Sequence, residues 1–304
     1  MRESHVPQSF PAQPDIEVCV SGLRFPEGPR WHDGHLYLSD ITGSAVHRYD
    51  AEGKGGVFAA LDFEPSGLGF APDGSLYVVD MPGCRVVGIR DGETSVVADL
   101  SGIAPSFCND MAVAADGTAY VTQLSNFWKG EQLVPAPIIR VKPDGTADEF
   151  GPALRMLNGI LVTPDQRALI VAEPGASKLR RYELDAHGEL TGVTVFAELA
   201  PTPAHPHGVV TPDGICLDAE GAVWFADPTA HRAARVRPGG EVTDVIPFPA
   251  DVYPLAVALG GADGRSLFVM ATPNMDFYAP RTGTGQGYVA ATRVTVPAAL
   301  GAAA

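Results

Sequence analysis

Apolar and polar residues alternate in short runs along this chain, with almost no helical period. Ile16-Glu-Val-Cys-Val20 alternates and predicts a strand. One unit then recurs: an Asp-Gly-like turn, a strand of the Leu-Tyr-Val-x-Asp kind, and a second strand carrying Val-x-x-Tyr or Val-x-x-Arg. Its copies begin at Asp33, Asp73, Asp116, Asp165, Glu220 and Asp263, with offsets of 40, 43, 49, 55 and 43 residues. Short strands at this period predict an all-β, six-bladed β-propeller. The last copy is followed by Gly287–Val296, one or two further strands, so blade six still lacks one. Ile16–Val20 can supply it, pairing N-terminal with C-terminal strand and removing two exposed edges. The expected layout is a flexible arm over 1–15, a single propeller domain over 16–297 and a flexible tail over 298–304. The longer offsets place the larger loops at Gln123–Pro137 and Ala200–Pro212, and loops of such length are often functional.

Composition narrows the partners. The 304 residues are 45 % hydrophobic, enough for a substantial core, and the 34 Gly and 27 Pro are dispersed as many turns require. A formal net charge of −15 argues against nucleic acid and anionic membranes and is compatible with a metal. No run has the length of a transmembrane span, and the first residues lack the apolar core of a signal peptide. The four cysteines form no Cys-x-x-Cys, which suits idle thiols in a cytoplasmic protein. A small-molecule substrate is the expected partner, and the oligomeric state is open.

The candidate chemistry lies just ahead of the repeated turns. Asn109, Asn158 and Asp213 each stand seven residues before their turn residue, and Glu27 stands six before Asp33. Near-constant spacing puts these four side chains at equivalent places in their blades, at inner strand ends around the central channel. Asn-Gly and Asp-Gly are also ordinary turn dipeptides, so the shared offset carries the reading. One Glu, one Asp and two Asn supply oxygen ligands for a hard divalent cation. Ca²⁺ is the first choice, with Mg²⁺, Mn²⁺ or Zn²⁺ as alternatives.

Phe25-Pro-Glu27-Gly-Pro, Asn109-Asp110, Leu157-Asn158-Gly159 with Thr163-Pro-Asp165, and Pro212-Asp213-Gly214 through Trp224 resemble the senescence marker protein (regucalcin)/gluconolactonase family. The resemblance spans roughly residues 16–296. It implies a six-bladed propeller with one divalent metal in the channel, held by Glu27, Asn158 and Asp213. It further implies that Asp213 is the catalytic general base, that Asn109 binds substrate beside it, and that a lactone is hydrolysed. Such chemistry needs no serine nucleophile, and no Gly-x-Ser-x-Gly elbow is present.

One departure bears on specificity. Members acting on sugar lactones resemble Arg-x-Asn-Asp at the second motif, and Phe107 stands in place of that arginine. A guanidinium holds hydroxyl-rich substrates by forked hydrogen bonds, which a phenyl ring cannot. Phe107, Met81, Trp128 and Phe277, with Met275 and Tyr278, are the candidates for a drier mouth. His207 is a further candidate for contact with substrate; His205, Glu173 and Cys108 are weaker ones. The expected activity is a metal-dependent hydrolase opening a lactone or related cyclic ester less polar than a sugar lactone. The alternatives are a non-hydrolytic isomerase, lyase or cyclase on the same propeller, and a binding or scaffold propeller.

Overall fold

The turn residues explain why the unit repeats. In a computed structural model, which describes residues 16–124, 134–205, 208–275, 286–299 and 301, Asp33 and Gly34 both take positive φ, 46° and 76°. These close the hairpin between β2 (Pro26–His32) and β3 (His35–Asp40) as a two-residue primed turn, whose twist matches that of the strands. In later copies the turn carboxylate accepts the N–H two residues on: Ser75 N at 2.9 Å from Asp73, Thr118 N at 2.8 Å from Asp116, and Arg265 N at 3.1 Å from Asp263. The aspartates are therefore turn formers.

Each turn opens an antiparallel four-stranded sheet, and there are six such sheets. The inner strands are β2, β6 (Pro65–Phe70), β10 (Cys108–Val113), β14 (Ile160–Val162), β18 (Ile215–Leu217) and β22 (Tyr253–Gly260). Each touches the next and β22 touches β2, so they form a closed ring. The six-bladed reading of the sequence holds. Blade six is completed by β1 (Glu17–Leu23), which pairs antiparallel with β24 (Gly287–Arg293) in the register Glu17↔Ala291 to Leu23↔Gly287. The alternating segment at the start of the described chain thus closes the ring as expected.

Both faces of each blade meet a neighbour, so middle strands such as β15 (Ala168–Glu173) and β19 (Val223–Asp227) are buried at every position. Among the described residues, six apolar clusters each lie between two adjacent blades. A seventh sits elsewhere, over one end of the channel. The segment expected to begin a tail at 298 is tied down: Ala298 N donates to Gly264 O (2.8 Å) and Ala299 N to Leu217 O (3.1 Å), bridging blades five and six. Among the described residues no helix is long and apolar enough to cross a membrane.

Candidate active site at the end of the channel

The strand registers turn the sequence spacing into geometry. Glu27 lies opposite Ser39, one residue before the end of β3. Asn158 N donates to Ala172 O and Asp213 N to Ala226 O, again one residue before the ends of β15 and β19. Applied to every blade, this position is Glu27, Ser66, Asn109, Asn158, Asp213 and Pro254. The residue after it is Gly28, Gly67, Asp110, Gly159, Gly214 or Leu255.

The glycines let adjacent inner strands come close. A Cβ on Gly67 would stand 2.3 Å from Met111 N, and one on Gly159 would stand 2.5 Å from Asp213 O. Close backbone approach draws five of these side chains, all but that of Pro254, toward one point.

They meet there. Ser66 Oγ donates to Asn109 Oδ1 (3.2 Å), and Asn109 Nδ2 donates to Asn158 Oδ1 (2.7 Å). The Asn158 side chain in turn hydrogen-bonds the Asp213 carboxylate, which faces Glu27. Glu27 Oε2 accepts Gly28 N at 3.0 Å. Asp213 Oδ1 is buried without a hydrogen-bond partner among the described residues.

Burial pushes the Glu27 carboxyl up to about 8, and the Asp110 charge adds to the rise while Gly28 N–H and Arg30 oppose it. The Asp213 carboxyl is held well above the usual carboxylate range by burial and then by the charges of Glu27 and Asp110, with Asn158 pulling the other way. Two carboxyls held together in this way, with an unpartnered buried oxygen and an amide oxygen beside them, fit a hard divalent cation. Among the described residues no group of three His, Cys, Asp or Glu could hold a metal.

The chain belongs to the SMP-30/gluconolactonase/LRE-like family. That family's profile matches residues 25–272, most of the propeller. A 6-deoxy-6-sulfogluconolactonase of Pseudomonas putida is 26 % identical over 276 residues, covering 89 % of this chain and 91 % of its own. A gluconolactonase of Zymomonas mobilis is 25 % identical over 287 residues, covering 86 % and 80 %. A solved luciferin-regenerating enzyme aligns with a TM-score of 0.75 at 19 % identity, over 95 % of this chain and 98 % of its own, a likeness of fold.

Beneath the ring of this family member lies a buried ion pair that its sequence does not advertise. Arg30 Nη2 meets Asp110 Oδ1 at 2.9 Å and also donates to Met111 O, while Nη1 donates to Pro29 O (2.7 Å). Asp110 accepts from Met111 N (2.8 Å) and Ile160 N (3.4 Å) as well. Both of its oxygens are engaged, unlike Oδ1 of Asp213. Ser66 was also missed, although it stands seven residues before Asp73, the same offset that singles out its neighbours.

The cluster over the channel end holds Phe25, Ile41, Met81, Leu124 and Leu255, with Phe107, Met156 and Tyr253 packed on it. Phe107 is partly exposed, whereas Met81 is 1 % exposed and forms the wall behind. Met275 is exposed. Trp128, His207, Phe277 and Tyr278 lie outside the described residues.

The three weaker candidates have structural partners. His205 is buried, its Nε2 2.9 Å from Asp227 Oδ2 and its Nδ1 accepting Thr202 N at 2.8 Å, so it pins its loop to blade five. Glu173 is buried against Arg180, whose Nε donates at 2.6 Å. Cys108 lies against Cys84, and this contact brings the Cys84 thiol down to about 7.

Proposed function

We propose that this protein is a divalent-metal-dependent hydrolase that opens a lactone or related cyclic ester less polar than a sugar lactone. The observation that carries the reading is the chain Asn109–Asn158–Asp213, ending on a buried carboxylate that faces Glu27 and whose Oδ1 has no partner. The gluconolactonase names of relatives 26 % and 25 % identical over most of the chain support the reaction class.

Glu27, Asn158 and Asp213 would hold the cation, which supplies Lewis-acid polarisation of the carbonyl and a more acidic water when bound. The chain's own residues do the rest. Asp213 takes a proton from the attacking water at its carboxylate. Asn158 donates to that carboxylate and fixes its plane. Asn109 offers an amide N–H beside it to the substrate oxygens. The proton then passes to the ring oxygen as the acyl bond breaks, leaving a hydroxy acid.

Phe107 and the apolar cluster behind it favour a substrate with an aliphatic or aryl face. Burying a ring against such a face contributes about 1.5–3 kcal/mol. A substrate hydroxyl left without a partner there costs about 1–3 kcal/mol. All four cysteines are free thiols, in keeping with a reducing compartment such as the cytoplasm.

The test is kcat/KM on an aliphatic or aryl lactone and on a sugar δ-lactone, in ¹⁸O water, for the wild type, Asp213→Asn and Phe107→Ala. Wild type should prefer the apolar lactone by about 10²–10³ and place the label in the acid. Asp213→Asn should abolish turnover, and Phe107→Ala should reduce the preference. Product without label assigns a rearrangement instead; preference for the sugar lactone sinks the substrate class.

A further inference from the structure

We propose that Ser66 is a positioning residue that sets which way the Asn109 amide faces, and thereby makes Asn109 a hydrogen-bond donor at the centre of the ring. The proposal rests on the function above for its enzymatic readout, and on the hydrogen-bond chain for its geometry.

The Oδ1 of Asn158 lies on the side of Asn109, and its N–H side is turned to Asp213. That oxygen needs a donor, and Asn109 Nδ2 supplies it at 2.7 Å. The Asn109 oxygen is then turned the other way, into a position where only a hydroxyl or N–H can satisfy it. Ser66 Oγ stands there at 3.2 Å. Ser66 is 3 % exposed, so water does not readily replace it.

Its own backbone is held as well, because Ser39 Oγ donates to Ser66 O at 2.6 Å, from the residue directly opposite Glu27. The chain Ser66→Asn109→Asn158→Asp213 thus has one direction and runs across four consecutive blades. A lactone entering the site meets the nitrogen of Asn109, which suits a carbonyl or ring oxygen.

Without the Ser66 hydroxyl the Asn109 oxygen is a buried acceptor with nothing to accept. Flipping the amide does not help, because it sets two amide oxygens against each other at Asn158. Ser66→Ala should lower kcat/KM on the apolar lactone by about 5- to 100-fold, the cost of one orphaned acceptor. Ser66→Thr keeps the hydroxyl and should stay within about threefold of wild type, above Ala despite its larger volume.

The decisive measurement is a double-mutant cycle. In an Asn109→Ala background Ser66→Ala should cost less than about twofold, since its partner is gone. An equal cost in both backgrounds, no cost in either, or a Thr variant below Ala would overturn the proposal. If Ser66→Ala does not fold, Ser66→Cys, with its weaker donor, is carried through the same cycle. If the wild type opens no lactone, the proposed function fails, and the cycle is read as Mn²⁺ affinity by calorimetry. There Ser66→Ala should weaken binding through Asn158 only while Asn109 is present, and equal weakening in both backgrounds would overturn the positioning role on its own.

Discussion

At the scale of the residue, the site is a pair of carboxyls kept together by burial. Glu27, at about 8, and Asp213, also raised, have folded-state acidities weaker than those of an unfolded chain. A group raised in this way favours the folded state fully below its unfolded value and loses that contribution as pH climbs through the folded one. Metal-free protein should therefore become less stable from near pH 4.5 to about 8, the ordinary and raised values of Glu27. A cation held by the ionised carboxylates would take over from the proton and stabilise the fold by linkage. Thermal unfolding between pH 5 and 9 should show Tm falling in EDTA and a flatter curve in Ca²⁺ or Mn²⁺. Parallel curves would mean that these carboxyls hold no metal. The four oxygen-bearing residues could be read from the sequence because their offset to the turn is nearly constant. Ser66 shares that offset, but serine is a common residue near turns and a weak cation ligand, so the offset alone does not single it out. Arg30 had no such signal, since its partner Asp110 is 80 positions away.

At the scale of the element, the inner strands are shaped by the small residue immediately C-terminal to most site positions. Gly67 accepts no side chain, because its Cβ would press on the backbone of Asp110 and Met111. Gly67→Ala should cost about 1–3 kcal/mol by overpacking and displace Ser66 and Asn109 together, lowering activity as well. Gly56, on the outer strand β5 (Gly55–Ala60), has nothing within 4 Å of its Cβ position and is the control. Gly56→Ala should change stability by less than about 0.5 kcal/mol. Urea unfolding of the two variants decides, and equal midpoints would show that the inner strands yield. Strands and turns were legible because their chemistry is local: alternation, Asp-Gly, and the side-chain acceptor two residues before its N–H. The part played by His205 was not legible. A histidine between prolines in a long loop looks solvated, and only the fold brings Asp227 up to it from 22 residues away.

At the scale of the whole molecule, closure depends on β1. It covers the edge of β24, and Val20 and Leu23 enter the core between blades six and one. Deleting residues 2–14 should leave Tm unchanged, whereas deleting 2–23 should uncover that edge and lead to aggregation. A soluble shortened chain of equal Tm, measured by light scattering and calorimetry, would refute the closure. By itself the sequence determined the blade number, the closing strand and four of the six ring positions, because each comes from a period or a local pattern that survives without contacts. The tertiary structure alone decided the hydrogen-bond order from Ser66 to Asp213, the Arg30–Asp110 pair beneath it and the apolar cluster behind Phe107. Those depend on which side chains from different blades face one another across the channel. Only ring closure sets that distance, and no pattern along the chain encodes it.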